Sequence, residues 1–113
     1  MATKQYFYGL GRRKSASASA RLYDGKGEIT INGKTASDFL SGNAELVAKL
    51  TDPLALVDKQ GVYDITVLAK GGGVSGQVDA ICLAIAKALA SINDDLRATL
   101  SKAGYLRRDS REV

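Results

Sequence analysis

Residues 15–23, Ser-Ala-Ser-Ala-Ser-Ala-Arg-Leu-Tyr, alternate with a period of two. Ala16, Ala18, Ala20 and Leu22 share one face and Ser15, Ser17, Ser19, Arg21 and Tyr23 the other, the pattern of a half-buried strand. Alanine is a poor strand former, so its use on the inner face points to a helix that must come close to the sheet. Asp24-Gly25-Lys26-Gly27 is turn chemistry, and Glu28-Ile29-Thr30-Ile31 reads as a partner strand, so a hairpin is expected here. Asn32-Gly33 ends that strand. Thr35 with Asp38 three residues on resembles the cap of a short helix through Phe39-Leu40. A second short helix over 44–50 is expected to stop before Asp52-Pro53.

After a turn at 58–61, residues 62–70 give the clearest strand, with Tyr63, Ile65, Val67 and Ala69 facing one way and Val62, Asp64, Thr66 and Leu68 the other. Gly71-Gly72-Gly73 leads into a long helix whose stripe is Val74, Val78, Ile81, Ile85, Leu89 and Ile92. Asn93 caps a further helix with Asp94 and Asp95 in its first turn and Leu96 and Leu100 on its buried side, and Gly104 is placed to end it. The expected architecture is α+β, about four strands with helices packed on one face, in a single domain spanning 1–113. Residues 106–113 read as the start of a basic extension that ends early.

Composition narrows the chemistry. The 113 residues include one cysteine, Cys82, and no histidine, which rules out an internal disulfide, a His-based triad and a His-bearing or Cys-cluster zinc site. No signal-peptide-like apolar run opens the chain and no 18-residue apolar span occurs, as expected of a soluble protein in a reducing compartment. The net charge of +4 is unevenly spread, +5 over residues 1–34, −3 over 35–101 and +2 over 102–113. Positive charge at both ends of a mildly acidic middle is the footprint of a polyanion binder, although solvated lysines and arginines give the same count.

Two segments carry candidate binding chemistry. In Tyr6-Phe7-Tyr8-Gly9-Leu10-Gly11-Arg12-Arg13-Lys14-Ser15, three cations flanked by glycines can neutralise a phosphate chain that the backbone approaches. The aromatics either stack on unpaired bases or pack in a strand. In Lys70-Gly71-Gly72-Gly73-Val74-Ser75-Gly76-Gln77, a glycine-rich loop opens a helix whose first amides can hold phosphate oxygens. It lacks the Gly-Lys-Ser/Thr ending of a nucleotide-binding P-loop. Asp64, Asp79 and Cys82 have no partners from which to assemble an active site, so no catalytic residue, metal or cofactor is assigned.

The chain resembles the family of the ninth protein of the small ribosomal subunit, in its bacterial form. The resemblance rests on Tyr8-Gly-Leu-Gly-Arg-Arg-Lys-Ser15, Gly27-Glu-Ile-Thr-Ile-Asn-Gly33, Tyr63-Asp-Ile-Thr-Val67, Gly71-Gly-Gly-Val-Ser-Gly-Gln77, the segment 96–100, Lys102-Ala-Gly-Tyr105 and Arg108-Asp-Ser-Arg111, in the family's order. It implies a fold like the second domain of the small subunit's fifth protein, with a left-handed βαβ crossover, opposite to the general rule. It also implies a non-catalytic role in the small-subunit head, in the cytoplasm or an organelle, with ribosomal RNA and neighbouring head proteins as partners. By position the RNA contacts fall on Arg12, Arg13, Lys14 and Ser15, on Lys70, Gly71, Gly72, Gly73, Ser75, Gly76 and Gln77, and on Arg107, Arg108 and Arg111.

Two departures from the family stand out. Cys82-Leu83 replace an Arg-His pair after the isoleucine, and the family's long basic tail does not follow Val113. Contact with transfer RNA is therefore not expected, nor is a membrane or small-molecule partner. The rival readings are a free-standing RNA-binding regulator and a small phosphoryl-transfer enzyme.

Overall fold

The computed structural model describes residues 6–13, 15–57 and 61–104. The elements run β1 (Phe7–Arg13), β2 (Ala16–Asp24), β3 (Ile29–Ile31), β4 (Lys34–Thr35), α1 (Ala36–Phe39), α2 (Ala44–Leu56), β5 (Tyr63–Lys70), α3 (Val74–Ala90) and α4 (Asp94–Lys102). Five strands form one mixed sheet in the order β1-β2-β5-β3-β4, one more strand than expected. Strand β4 is only two residues long, too short to leave a pattern. The fold is α+β as expected, with the helices on one face of the sheet.

The expected hairpin between β2 and β3 does not form. Strand β5 lies between them, antiparallel to β2 and parallel to β3, with Tyr63 opposite Asp24 and Ile65 opposite both Leu22 and Ile29. The connecting turn wraps around the start of β5 instead. There one Asp64 carboxylate oxygen accepts from the amides of Lys26, Gly27 and Glu28 at 2.9, 3.2 and 3.1 Å. The real hairpin is β3–β4. Its two-residue turn is Asn32-Gly33, with φ +53° and +84°, the left-handed pair that a primed turn requires. The Asn32 amide also imitates a strand: it accepts from the Ala69 N–H at 2.9 Å and donates to the Ala69 carbonyl at 3.1 Å.

Alternation decides what β2 and β5 bury. Ala16, Ala18, Ala20 and Leu22, and Tyr63, Ile65, Val67 and Ala69, all lie against the helices. Helix α3 covers this face with Val78, Ile81, Ile85 and Leu89, each fully buried, and Ile92 packs half-buried just beyond it. It also crosses β1, where Gly9 and Gly11 supply the closest approach. A Cβ added at Gly9 would strike the Ala84 carbonyl oxygen, and one at Gly11 would strike that of Ala80 and lie 2.7 Å from the Ala84 nitrogen. These glycines therefore serve helix packing, not the approach of a ligand to the cation triplet.

Helix α2 does not stop before Pro53; it continues to Leu56. Proline has no N–H to give the carbonyl four residues back, which here belongs to Lys49. That oxygen has another donor, the Cys82 thiol of α3, with Sγ 3.1 Å away. The caps expected at Thr35 and Asn93 form, and Asn43 adds a third at the start of α2: each accepts from the backbone N–H three residues on. Gly104, at φ +88°, follows the last turn of α4 in the left-handed conformation that terminates helices.

Candidate nucleic-acid interface

The two candidate segments meet at one end of the sheet. Ser17 of β2 pairs with Arg12 on one side and Lys70 on the other, so both cations share a row on the face that no helix covers. Beyond that row the β1–β2 turn packs on the glycine loop. Gly71 lies so close to the Ser15 carbonyl that a Cβ would collide with it, and one at Gly72 would lie 3.3 Å from the Ser15 hydroxyl and 3.1 Å from the Ala16 Cβ. Gly71 and Gly72 are both left-handed, at φ +75° and +60°. The loop is closed by Gln77, whose side-chain N–H donates to the Gly71 carbonyl at 2.9 Å. Gln77 is thus a brace for the loop.

Helix α3 starts from Gly73, which offers no side-chain cap to the first-turn amides. A Cβ at Gly73 would meet nothing within 4 Å, and one at Gly76 only the Ala16 Cβ at 3.7 Å. Ser75 and Gly76 occupy that first turn. Among the described residues nothing caps or covers the positive end of this 17-residue helix, directly beside Lys70.

The cation triplet is not one unit. Consecutive strand residues point to opposite faces, so Arg12 stands exposed on the open face while Arg13 turns, half-buried, toward the helices. There Arg13 lines a small hollow with Lys49, Asp52, Asp79 and Cys82. Lys14, and the arginines Arg107, Arg108 and Arg111, lie outside the described residues. The residues considered for catalysis have structural partners: Asp64 gathers backbone amides, Asp79 pairs with Lys49 at 3.3 Å, and Cys82 bonds the Lys49 carbonyl.

The open face holds more than the motifs indicated. Arg21 stacks over the Tyr6 ring at 5.1 Å, and Tyr6 packs on Tyr23 with ring centroids 5.3 Å apart. The signal is present in the sequence of β1 and the residue before it, where Tyr6, Tyr8, Leu10 and Arg12 alternate with residues of the other face.

The sequence matches the family of ribosomal protein S9/S16 over residues 11–113. It is 45% identical over 109 residues to small ribosomal subunit protein uS9 of Thermus thermophilus, covering 96% of this chain and 84% of that one. The uS9 of Maridesulfovibrio salexigens is 44% identical, with 97% and 84% covered, and the uS9c of Mesostigma viride 44%, with 93% and 77% covered. With the family's sequence running through the strands, the glycine loop and both long helices, this chain belongs to the ribosomal protein S9/S16 family.

Proposed function

We propose that the protein is a structural, non-enzymatic constituent of the small ribosomal subunit, in the cytoplasm or an organelle, that holds ribosomal RNA at the end of its sheet. The observation that carries this reading is convergence: Arg12, Lys70 and the uncapped start of α3 come together around Ser17 and the loop 71–73. Two cations and the uncapped first turn of α3 suit successive phosphates of one strand, and Gly73, where a Cβ would meet nothing within 4 Å, leaves the backbone within reach. Lys14 and Arg107, Arg108 and Arg111 belong to the same proposal through their place in the family's sequence. Neighbouring head proteins complete the set of partners. Cosedimentation with small subunits from lysate tests the whole reading, since a protein found only in free fractions would contradict it.

Binding to small-subunit ribosomal RNA resolves the parts. Replacing Arg12 and Lys70 together by alanine should weaken binding and flatten the slope of log K against log salt by about 1.4–1.8, at roughly 0.7–0.9 for each phosphate that is no longer neutralised. Arg13→Ala should change the slope much less, because its side chain is turned to the helix side. An unaltered slope in the double variant would mean that these cations are merely solvated.

The glycine loop gives a second test. Gly76→Ala fits sterically and favours helix by up to about 1 kcal/mol, so the melting temperature should hold or rise. RNA affinity should nevertheless fall, because a methyl group in the first turn of α3, beside the Ala16 Cβ, narrows the approach to the amides there. Gly72→Val forces a β-branched residue to φ +60° and should cost stability first, by about 1–3 kcal/mol. Full affinity in the Gly76 variant would return the loop to a purely structural role.

A further inference from the structure

The sheet face opposite the helices has no covering layer among the described residues, yet it is not built like a solvated surface. Four of the six large apolar side chains exposed among the described residues stand on it: Tyr6, Tyr8, Leu10 and Leu68, the last three 47%, 41% and 54% exposed. Strand register arranges them in rows. Leu10, Ser19 and Leu68 lie side by side, so the small serine leaves a trough between two leucines. One row on, Tyr8, Arg21 and Thr66 are adjacent, and one row back lie Arg12, Ser17 and Lys70. All charge in these rows is positive. The acids of this face, Glu28 and Asp64, lie past Arg21 at the far end, around the hollow they share with Tyr6 and Tyr23.

We propose that these rows form a platform for unpaired RNA nucleotides, with bases lying on Tyr8 and over the Leu10–Leu68 trough while Arg12, Arg21 and Lys70 meet the phosphates. This rests on the RNA-binding reading above and extends it from the loop to the sheet. A duplex displays phosphates and groove edges, which would leave the exposed tyrosine and leucines without a use; unpaired bases present flat apolar faces to such side chains. A protein partner would have to bury Arg12, Arg21 and Lys70 and supply acids to all of them. Single-stranded RNA satisfies both the apolar rows and the charge.

The test uses the whole chain carrying a photoreactive benzoylphenylalanine at position 8 or, separately, at position 73, assembled into small subunits. Crosslinks from position 8 to unpaired ribosomal RNA nucleotides are expected. Crosslinks to a neighbouring protein, or to base-paired RNA, would overturn the platform. If position 73 reaches RNA and position 8 does not, the platform fails and the loop contact stands; if neither reaches RNA, both fail. In solution, with whole small-subunit ribosomal RNA as the probe, Tyr8→Ala should weaken binding by about 5- to 140-fold, the range for removal of one stacked base. Tyr8→Phe should bind almost as well as the parent chain. Unchanged affinity in Tyr8→Ala, with its melting temperature preserved, would also refute the platform.

Discussion

Gly9→Ala is expected to lower the melting temperature by about 12–25 °C. A single methyl group is added, but it is added against backbone. The new Cβ would overlap the Ala84 carbonyl oxygen and lie 2.5 Å from the Ala88 nitrogen, and neither atom can rotate aside as a side chain would. Helix α3 would have to lift from β1 as a rigid body, loosening the packing of Ala80, Ala84 and Ala88 beneath it. Overpacking of this kind commonly costs about 1–3 kcal/mol, and more where nothing can relax, so a destabilisation of about 3–5 kcal/mol is expected. At about 4–5 °C per kcal/mol for a domain of this size, that gives the stated shift. Leu10→Ala, one residue along on the open face, should move the melting temperature only slightly. Thermal unfolding followed by circular dichroism compares the two, and a Gly9→Ala protein as stable as its parent would show that the glycine is not what seats the helix.

The same glycines show where the sequence is legible. The inner-face alanines of β2 foretell a close helix, because a period of two and small side chains are both local properties. The stripe of α3 and the caps at Thr35 and Asn93 are legible for the same reason. Gly9 and Gly11 look in sequence like clearance for a ligand, since nothing there says which neighbour fills the space beside a glycine. The expected hairpin gives way in a competition between two turn signals. Asp24-Gly25 is a good turn dipeptide, but the strand that pairs beyond it is chosen by Asp64, 36–38 residues away, whose carboxylate collects the turn's amides. The candidate site is legible as two segments; their meeting is not, because it depends on Ser17 pairing with both Arg12 and Lys70.

Pro53 is the clearest case of distant chemistry overriding a local rule, and it carries the second large prediction. The Lys49 carbonyl loses its helical donor to proline and receives the Cys82 thiol instead, so this hydrogen bond requires the protonated form. Burial, with Asp79 and then Asp52 adding to it against the opposing effect of Lys49, pushes the thiol from its ordinary value near 9 up to about 12. The thiolate fraction at pH 8 is then lower by about a thousandfold, and alkylation by iodoacetamide should be slower than that of an unfolded chain by a similar factor.

The folded chain keeps the proton up to about pH 12 while the unfolded chain releases it near 9. This contribution to stability is therefore complete below pH 9 and is lost as pH rises from 9 towards 12, by at most about 1.4 kcal/mol per pH unit. Cys82→Ala lacks the donor and should be less stable at pH 7 by about 1–3 kcal/mol, the cost of leaving the Lys49 oxygen unpaired. Every other group that titrates in this range is present in both proteins and drops out of their difference. The gap between parent and variant, measured by urea unfolding, should hold from pH 6 to 8.5 and close as pH climbs to 10.5. A gap that stays constant to pH 10.5, or a Cys82 alkylated as fast in the folded chain as in the unfolded one, would show that the thiol is not the donor that lets α2 continue through Pro53.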